Sequence, residues 1–207
     1  MKAEVVTMIL GIVEVGLFII RKRDGPLPLN SRGYVGILIA AITLKITISC
    51  LTIGEPKSNR LLLSIIGGCL ILACVTDWVL CQVYNFIWWI ALTAAAIILW
   101  RSLYLPRIEE KEEILIALLL FFVLQFTVFC RTYGKADGYA FCVCAVTEAT
   151  RGMKLAGFLS HMLLAYALLF LVQTIRGNLN KRGNLKKPVP FLPYITITFW
   201  VIIVLKG

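Results

Sequence analysis

Two aspartates lie in apolar surroundings, where an ionised side chain is least favoured. Asp77 is near the end of the apolar run 61–81, and Asp137 follows sixty residues later, as another apolar stretch begins. A carboxylate in hydrocarbon costs roughly several kcal/mol, so such residues are usually functional. Two of them, each at a helix end, favour a pair that shares one proton and activates a water molecule. Asp77 and Asp137 are therefore the predicted catalytic residues.

The composition is that of a membrane protein. The 207 residues are 60% hydrophobic and 15% charged, with a mean hydropathy of +0.89. A soluble domain is about 45–50% apolar and about 25% charged. Several apolar runs are close to the length of about 20 residues that a helix needs to cross the bilayer core. Because helices satisfy their own backbone in lipid, we expect an all-α polytopic transmembrane helix bundle of seven or eight membrane segments.

The apolar runs set the predicted spans. They cover residues 5–20, 34–53, 61–81, 86–100, 114–130, 138–150, 155–175 and 191–205. The run 138–150 is short for a full span. We divide the chain into an N-terminal two-span segment, 1–60, and a core, 61–207. The first run is not expected to be a cleavable signal, because basic residues follow it and no small-residue cleavage site appears.

The basic residues predict sidedness. The net charge is +10, and the basic residues lie in short loops, which is typical of positive-inside topology. No aromatic-interleaved basic face appears, so no nucleic-acid partner is expected. The local excess of positive charge in loops 21–33 and 176–190 predicts that these loops are cytoplasmic. Because successive spans cross the membrane in opposite directions, Asp77 and Asp137 are then expected at the cytoplasmic membrane face. The lipid bilayer is an expected partner.

Other polar residues have structural interpretations. We expect His161, the single histidine, to be a satisfied interhelical residue. Glu148 is expected at the far membrane interface rather than in a polar cavity. Glu14 and Lys45 could pair across the bilayer interior. The five tryptophans are mostly near span ends, as in an interfacial aromatic belt.

The seven cysteines are mostly inside apolar runs, as expected of small buried residues. No C-x-x-C pair occurs, so a zinc knuckle is not supported. We therefore expect no metal and no cofactor.

Four features resemble known membrane proteases. The sequence Gly-Lys-Ala-Asp at 134–137 resembles the G-x-G-D signature of intramembrane aspartic proteases. The segment from Asp77 to Asn85 is similar to the first catalytic aspartate of the type IV prepilin peptidase family, followed by its Pro-Asn or Pro-Asp pair. The sixty-residue gap is typical of that family. The sequence Val-Pro-Phe-Leu-Pro-Tyr at 189–194 resembles its Pro-Phe-Gly-Pro helix start. The resemblance covers about 61–205.

This resemblance implies an activity. It implies an aspartic endopeptidase of a prokaryotic plasma membrane, part of a type IV pilus or secretion system, with the two aspartates activating water. The implied substrate is a prepilin-like or pseudopilin-like protein with a basic leader, cut at the cytoplasmic border, typically after a glycine. Gly134, Ala136, Asn85 and Lys135 would bind substrate or shape the site. Nothing in the sequence sets the oligomeric state.

The chain also departs from the family pattern. Ala136 replaces the second glycine of the signature, Tyr84 replaces a proline, Leu192 replaces a glycine, and Tyr139 stands where many members have lysine. Long members carry a cysteine-containing cytoplasmic domain and methylate the new N-terminus. Loop 21–33 has thirteen residues and no cysteine. We therefore expect peptidase activity without methyltransferase activity.

Two other functions stay open. The chain could be a non-catalytic membrane component of a pilus or secretion assembly. It could also be a membrane cysteine protease that processes signalling peptides, which requires a cysteine and a histidine within reach of each other. Cys142 and Cys144 are the cysteines nearest to His161 in the sequence.

Overall fold

The fold is known from a computed structural model, which describes residues 2–24, 57–104, 111–179 and 190–206. All regular elements in these ranges are helical, which confirms the all-α prediction for this part of the chain. They are α1 (Lys2–Asp24), α2 (Lys57–Leu80), α3 (Asn85–Tyr104), α4 (Lys111–Thr127), a 3₁₀ turn (Phe129–Arg131), α5 (Lys135–Ala149), α6 (Leu155–Leu179) and α7 (Leu192–Lys206). The predicted span 34–53, with Lys45, lies outside the described residues.

Three described helices are long and apolar enough to cross a membrane. These stretches are Asn59–Leu80, Asn85–Tyr104 and Leu155–Ile175, and Leu192–Ile203 is a shorter apolar helix. Large apolar side chains also lie on the outside, among them Trp89 and Phe170, which are more than 70% exposed. An apolar exterior of this kind is compatible with lipid and unfavourable in water. These features suggest a membrane protein.

The tryptophans divide into two groups. Trp78, Trp89 and Trp100 are exposed, as residues of an interfacial belt would be. Trp88 is instead buried, and its ring stacks on that of Tyr139 with the centroids 6.3 Å apart. Trp88 therefore contributes to the packing of α3 against α5 rather than to the outer surface.

Local breaks in helical geometry set the helix ends. Cys81 has a φ of +52°, a left-handed conformation that ends α2. Gly134 precedes α5 with extended backbone angles. Gly152 has a φ of +75°, which a residue without a Cβ adopts at little cost, and it turns the chain from α5 into α6. The bounds of each predicted span in the described ranges agree with those of a helix to within a few residues.

Helix α5 is the centre of the bundle. It contacts α3, α4, α6 and α7, and every residue from Ala140 to Ala149 is buried. The helices α2 and α3 pack side by side, and α2 also contacts α1 and α7. The central helix carries Asp137 in its first turn and Glu148 near its other end. Polar side chains on α5 must therefore find partners inside the protein.

The aromatic pair of Phe121 and Phe158 should be a main source of stability. Phe121 is 1% exposed, and its ring centroid lies 5.4 Å from that of Phe158. We expect Phe121→Ala to lower the free energy of unfolding by roughly 3–5 kcal/mol, because it leaves a cavity. The measurement is unfolding of the detergent-solubilised protein. Leu119→Ala, on the same helix but 64% exposed, is the control, and an equal loss there would contradict the assignment.

Candidate active site

Asp77 lies in the last turn of α2 and contacts the start of α7. Its Oδ2 atom accepts a hydrogen bond from the backbone N–H of Leu192, with a distance of 3.2 Å. The backbone N–H of Phe191 also bonds to this carboxylate. The first N–H groups of a helix have no partner within the helix, and the helix dipole is positive there. The Asp77 carboxylate therefore caps the last helix from another part of the chain.

Asp137 lies in the first turn of α5. Its Oδ2 atom accepts a hydrogen bond from the backbone N–H of Gly134, with a distance of 3.2 Å. This carboxylate therefore caps its own helix, in the manner of the acidic residue of a capping box.

The two carboxylates interact. Burial, and to a smaller extent the charge of Asp77, raise the pKa of Asp137 to about 7, although the hydrogen bond from Gly134 lowers it. The structure thus places two acidic groups that are sixty residues apart in the chain within electrostatic range of each other. Because each charge disfavours ionisation of the other, the pair holds one proton over part of the pH range.

A pair of this kind has a definite chemical capability. A singly protonated pair contains a carboxylate that can take a proton from water and a carboxylic acid that can donate one to a carbonyl oxygen. Both groups are only partly buried, so a substrate backbone can reach them. Whether Asp77 and Asp137 are catalytic stays a prediction, because both also have the structural role of helix caps.

The other predicted site residues lie near the pair in the chain but differ in placement. Lys135 is exposed at the start of α5, and Asn85 is exposed at the start of α3. Ala136 is partly buried and packs against the core. Gly134 has φ −68° and ψ 156°, which any residue can adopt. A Cβ atom there would lie 3.5 Å from Oδ2 of Asp137, an ordinary contact. The backbone therefore does not require glycine at position 134.

An aromatic cluster, which no local sequence pattern predicts, lies beside the pair. The ring of Phe191 lies 4.9 Å from that of Tyr166 and 6.0 Å from that of Phe141, between centroids. The Tyr133 ring is 6.0 Å from that of Tyr166, and the Tyr133 hydroxyl donates to Gln125. The Tyr166 hydroxyl bonds to Thr132 and is near enough to Asp137 for an electrostatic interaction. These rings form an apolar wall with polar edges at the site.

Glu148 is placed differently from the prediction. It is fully buried, so the expectation of a place at the membrane interface is wrong. Its Oε1 atom lies 2.7 Å from Nδ1 of His161. The Nε2 atom of His161 lies 3.1 Å from the carbonyl oxygen of Ile195. The prediction of a satisfied interhelical histidine is confirmed, and Glu148 is inside because His161 offers it a charged or polar partner there.

The cysteines and Glu14 complete the account of the predicted residues. Cys69, Cys142 and Cys144 are buried, while Cys81 is exposed. Glu14 is exposed on α1, and its predicted partner lies outside the described residues. In the ranges that the structure describes, no three histidine, cysteine or acidic side chains cluster as metal ligands would.

Comparisons with known proteins found no match. No family model matches the chain, and neither a curated protein nor a solved structure is similar to it.

Proposed function

We propose that this protein is an integral-membrane aspartic endopeptidase that uses Asp77 and Asp137 to activate water. The supporting observation is that Asp137 is partly buried within electrostatic range of Asp77; burial first, and the charge of Asp77 second, raise its pKa to about 7. A water-activating pair needs one acid and one base at the working pH. An Asp137 carboxyl group that keeps its proton near neutrality, next to Asp77, meets that need without a metal or cofactor.

The proposed substrate is a prepilin-like or pseudopilin-like protein with a basic leader before an apolar helix. The apolar exterior of the bundle suits a substrate helix in the same membrane, and the pair lies at helix ends, where such a helix would leave the hydrocarbon. The proposed bundle has seven or eight membrane segments in a prokaryotic plasma membrane, with the site facing the cytoplasm. The resemblance of the segments around Asp77, Asp137 and residues 189–194 is the basis for this choice of substrate.

A non-catalytic role in a pilus or secretion assembly is the main competing function. The observation in its favour is that both carboxylates cap helices, so both have a structural reason to be present. A cysteine protease is less well supported. Cys142 and Cys144 are buried, whereas a reactive thiolate is usually partly exposed. Both ring nitrogens of His161 are already engaged.

Cleavage of a reporter tests the proposed function. We expect membranes that contain this protein to shorten a co-expressed reporter whose basic, glycine-ended leader precedes an apolar helix. A matched reporter with leucine in place of that glycine should stay uncut, because the resemblance implies cleavage after glycine. Mass spectrometry of the product identifies the cut bond. Failure to cut any reporter of this type would remove the support for this substrate class.

Thiol alkylation separates the two protease classes. We expect N-ethylmaleimide to leave cleavage unchanged, because no thiol takes part in an aspartic mechanism. Cys81 is exposed and follows the helix that carries Asp77, so its alkylation could block the site by size alone. The experiment therefore uses the Cys81→Ser variant. Loss of cleavage in that background would favour the cysteine protease.

A further inference from the structure

A buried acid–base pair lies deeper in the bundle than the two aspartates. Glu148 is fully buried and His161 is 1% exposed. The Oε1 atom of Glu148 lies 2.7 Å from Nδ1 of His161, but neither carboxylate oxygen has a well-aligned hydrogen bond among the described residues. Two apolar side chains of similar size would pack here without the cost of removing polar groups from water. A buried polar pair that persists despite this cost often specifies how helices align.

The pair connects three helices. Glu148 is on α5, His161 is on α6, and the carbonyl oxygen of Ile195 is on α7, so one imidazole ring contacts both of the other helices. Because a carbonyl oxygen can only accept, the Nε2 atom of His161 must carry a proton. The Nδ1 atom faces Oε1 of Glu148 at 2.7 Å. The imidazole ring thus constrains both the separation and the relative orientation of α5 and α7.

Each end of this connection leads to one of the two aspartates. On α7, Ile195 is three residues from Leu192, whose N–H bonds to Asp77, so the two contacts are separated by about 4.5 Å of helix. On α5, Glu148 follows Asp137 by eleven residues, which is about three turns, and the two side chains share a face. A shift of α7 against α5 at the histidine would therefore move Asp77 relative to Asp137.

Aromatic rings keep this connection dry. The Phe141 ring lies 5.5 Å from the His161 ring in an edge-on arrangement, and the Phe199 ring lies 6.1 Å away. Phe141 also contacts Phe191, whose N–H bonds to Asp77. Loss of the imidazole leaves the buried Glu148 carboxyl group without its polar neighbour and removes one donor from the Ile195 carbonyl oxygen.

We propose that Glu148 and His161 are positioning residues that hold α7 against α5 and so set the separation of Asp77 and Asp137. This inference rests on the proposed function. It assigns to the pair no contact with substrate.

The variants are chosen to remove the connection or to keep it. We expect His161→Leu and Glu148→Leu to lower kcat by about 10- to 100-fold, because a displacement on the order of 1 Å has effects of this size, while KM changes little. Glu148→Gln should retain most activity, since the glutamine amide group can donate an N–H to Nδ1 of the neutral ring. A uniform loss in all three variants would instead indicate a general packing role.

Thr198→Val is the matched control. The Thr198 hydroxyl is buried and lies 3.0 Å from the same Ile195 carbonyl oxygen, but it belongs to the same helix. The same hydroxyl also lies 2.8 Å from the carbonyl oxygen of Tyr194, so its removal affects only bonds within α7 and leaves the link between helices intact. We expect wild-type kcat in Thr198→Val, and a loss equal to that of His161→Leu would overturn the proposal.

The pH profile provides a readout that simple destabilisation would not move. Two titratable groups interact electrostatically with Asp137: Asp77 on α2 and Tyr166 on α6. If His161→Leu lets the aspartates separate, the charge of Asp77 raises the pKa of Asp137 less. The alkaline limb of activity should then move to lower pH by roughly one unit. An unchanged limb together with wild-type kcat would contradict the positioning role.

A measurement on the wild-type protein covers variants that fail to fold. Because His161 is the single histidine in the chain, ¹⁵N-histidine labelling gives one imidazole spectrum. We expect Nε2 to carry a hydrogen-bonded proton throughout the pH range in which the protein is folded. An unprotonated Nε2 would overturn the inference.

Asp77→Asn and Asp137→Asn are assayed in parallel, so that the two proposals can fail separately. Cleavage by both variants would refute the peptidase function, whereas wild-type behaviour of His161→Leu alone would refute only the positioning role.

Discussion

Asp77→Asn and Asp137→Asn should each lower the rate of leader cleavage by a factor of about 10² to 10⁴, the usual contribution of a positioned acid or base. An amide has neither the acidic proton nor the basic oxygen that the reaction uses. Cleavage is measured as the ratio of mature to full-length reporter over time in membranes. Because the two groups act as one unit, the double variant should be little worse than either single variant.

Asparagine separates the chemical role of these residues from their role as caps. An amide oxygen can still accept from the N–H of Leu192 at position 77, and from the N–H of Gly134 at position 137. The fold should therefore survive, with a thermal midpoint near that of the wild type. Glu112→Gln is the control, because Glu112 is an exposed acid on α4, and it should cut at the normal rate.

The opposite outcome would identify the competing function. If both asparagine variants cut the reporter as the wild type does, the aspartates are not catalytic and act as helix caps only. A folded wild-type protein that cuts no reporter, and whose Asp77→Ala variant unfolds more readily, would point to a non-catalytic membrane component. Alanine removes the cap at the start of α7, at a cost of about 1 kcal/mol.

The helices could be predicted from the sequence because their signals are local. A run of apolar residues specifies a helix in lipid wherever its neighbours are. Residues such as Gly134 and Gly152 mark the ends through backbone geometry. The short apolar run 138–150 was predicted to be an incomplete span, and the corresponding helix α5 has 15 residues. Its central place in the bundle depends on long-range packing, which periodicity in one helix does not reveal.

The site was only partly predictable for the same reason. Asp77 and Asp137 could be found because a carboxylate in an apolar run is costly wherever it lies. The bond from the start of α7 to Asp77 could not be predicted, since the N–H of Leu192 is 115 residues away in the chain. Glu148 shows the limit most clearly. An acid in an apolar segment can reach water at an interface or a partner inside, and only the position of His161 decides between them.

Cleavage should depend on pH through Asp137. With a pKa of about 7, this group loses its proton as the pH rises through neutrality, and the pair then contains two carboxylates and no acid. We expect the rate to fall about tenfold per pH unit above that value, with the apparent midpoint belonging to the pair rather than to one residue. The measurement is the initial rate of reporter cleavage between pH 5 and 9. A flat profile across this range would contradict a shared proton.

The same shift has a consequence for stability that needs no substrate. The pKa of Asp137 is about 7 in the folded protein and near the ordinary 3.8 when unfolded, so the folded state binds the extra proton between these values. The stabilisation from this group is complete below about pH 4 and is lost as the pH rises through about 7. Asp137→Asn has no such proton to lose. The thermal midpoint of Asp137→Asn minus that of the wild type should therefore become more positive between pH 5 and pH 8. A difference that stays constant would mean that Asp137 is already ionised at pH 5.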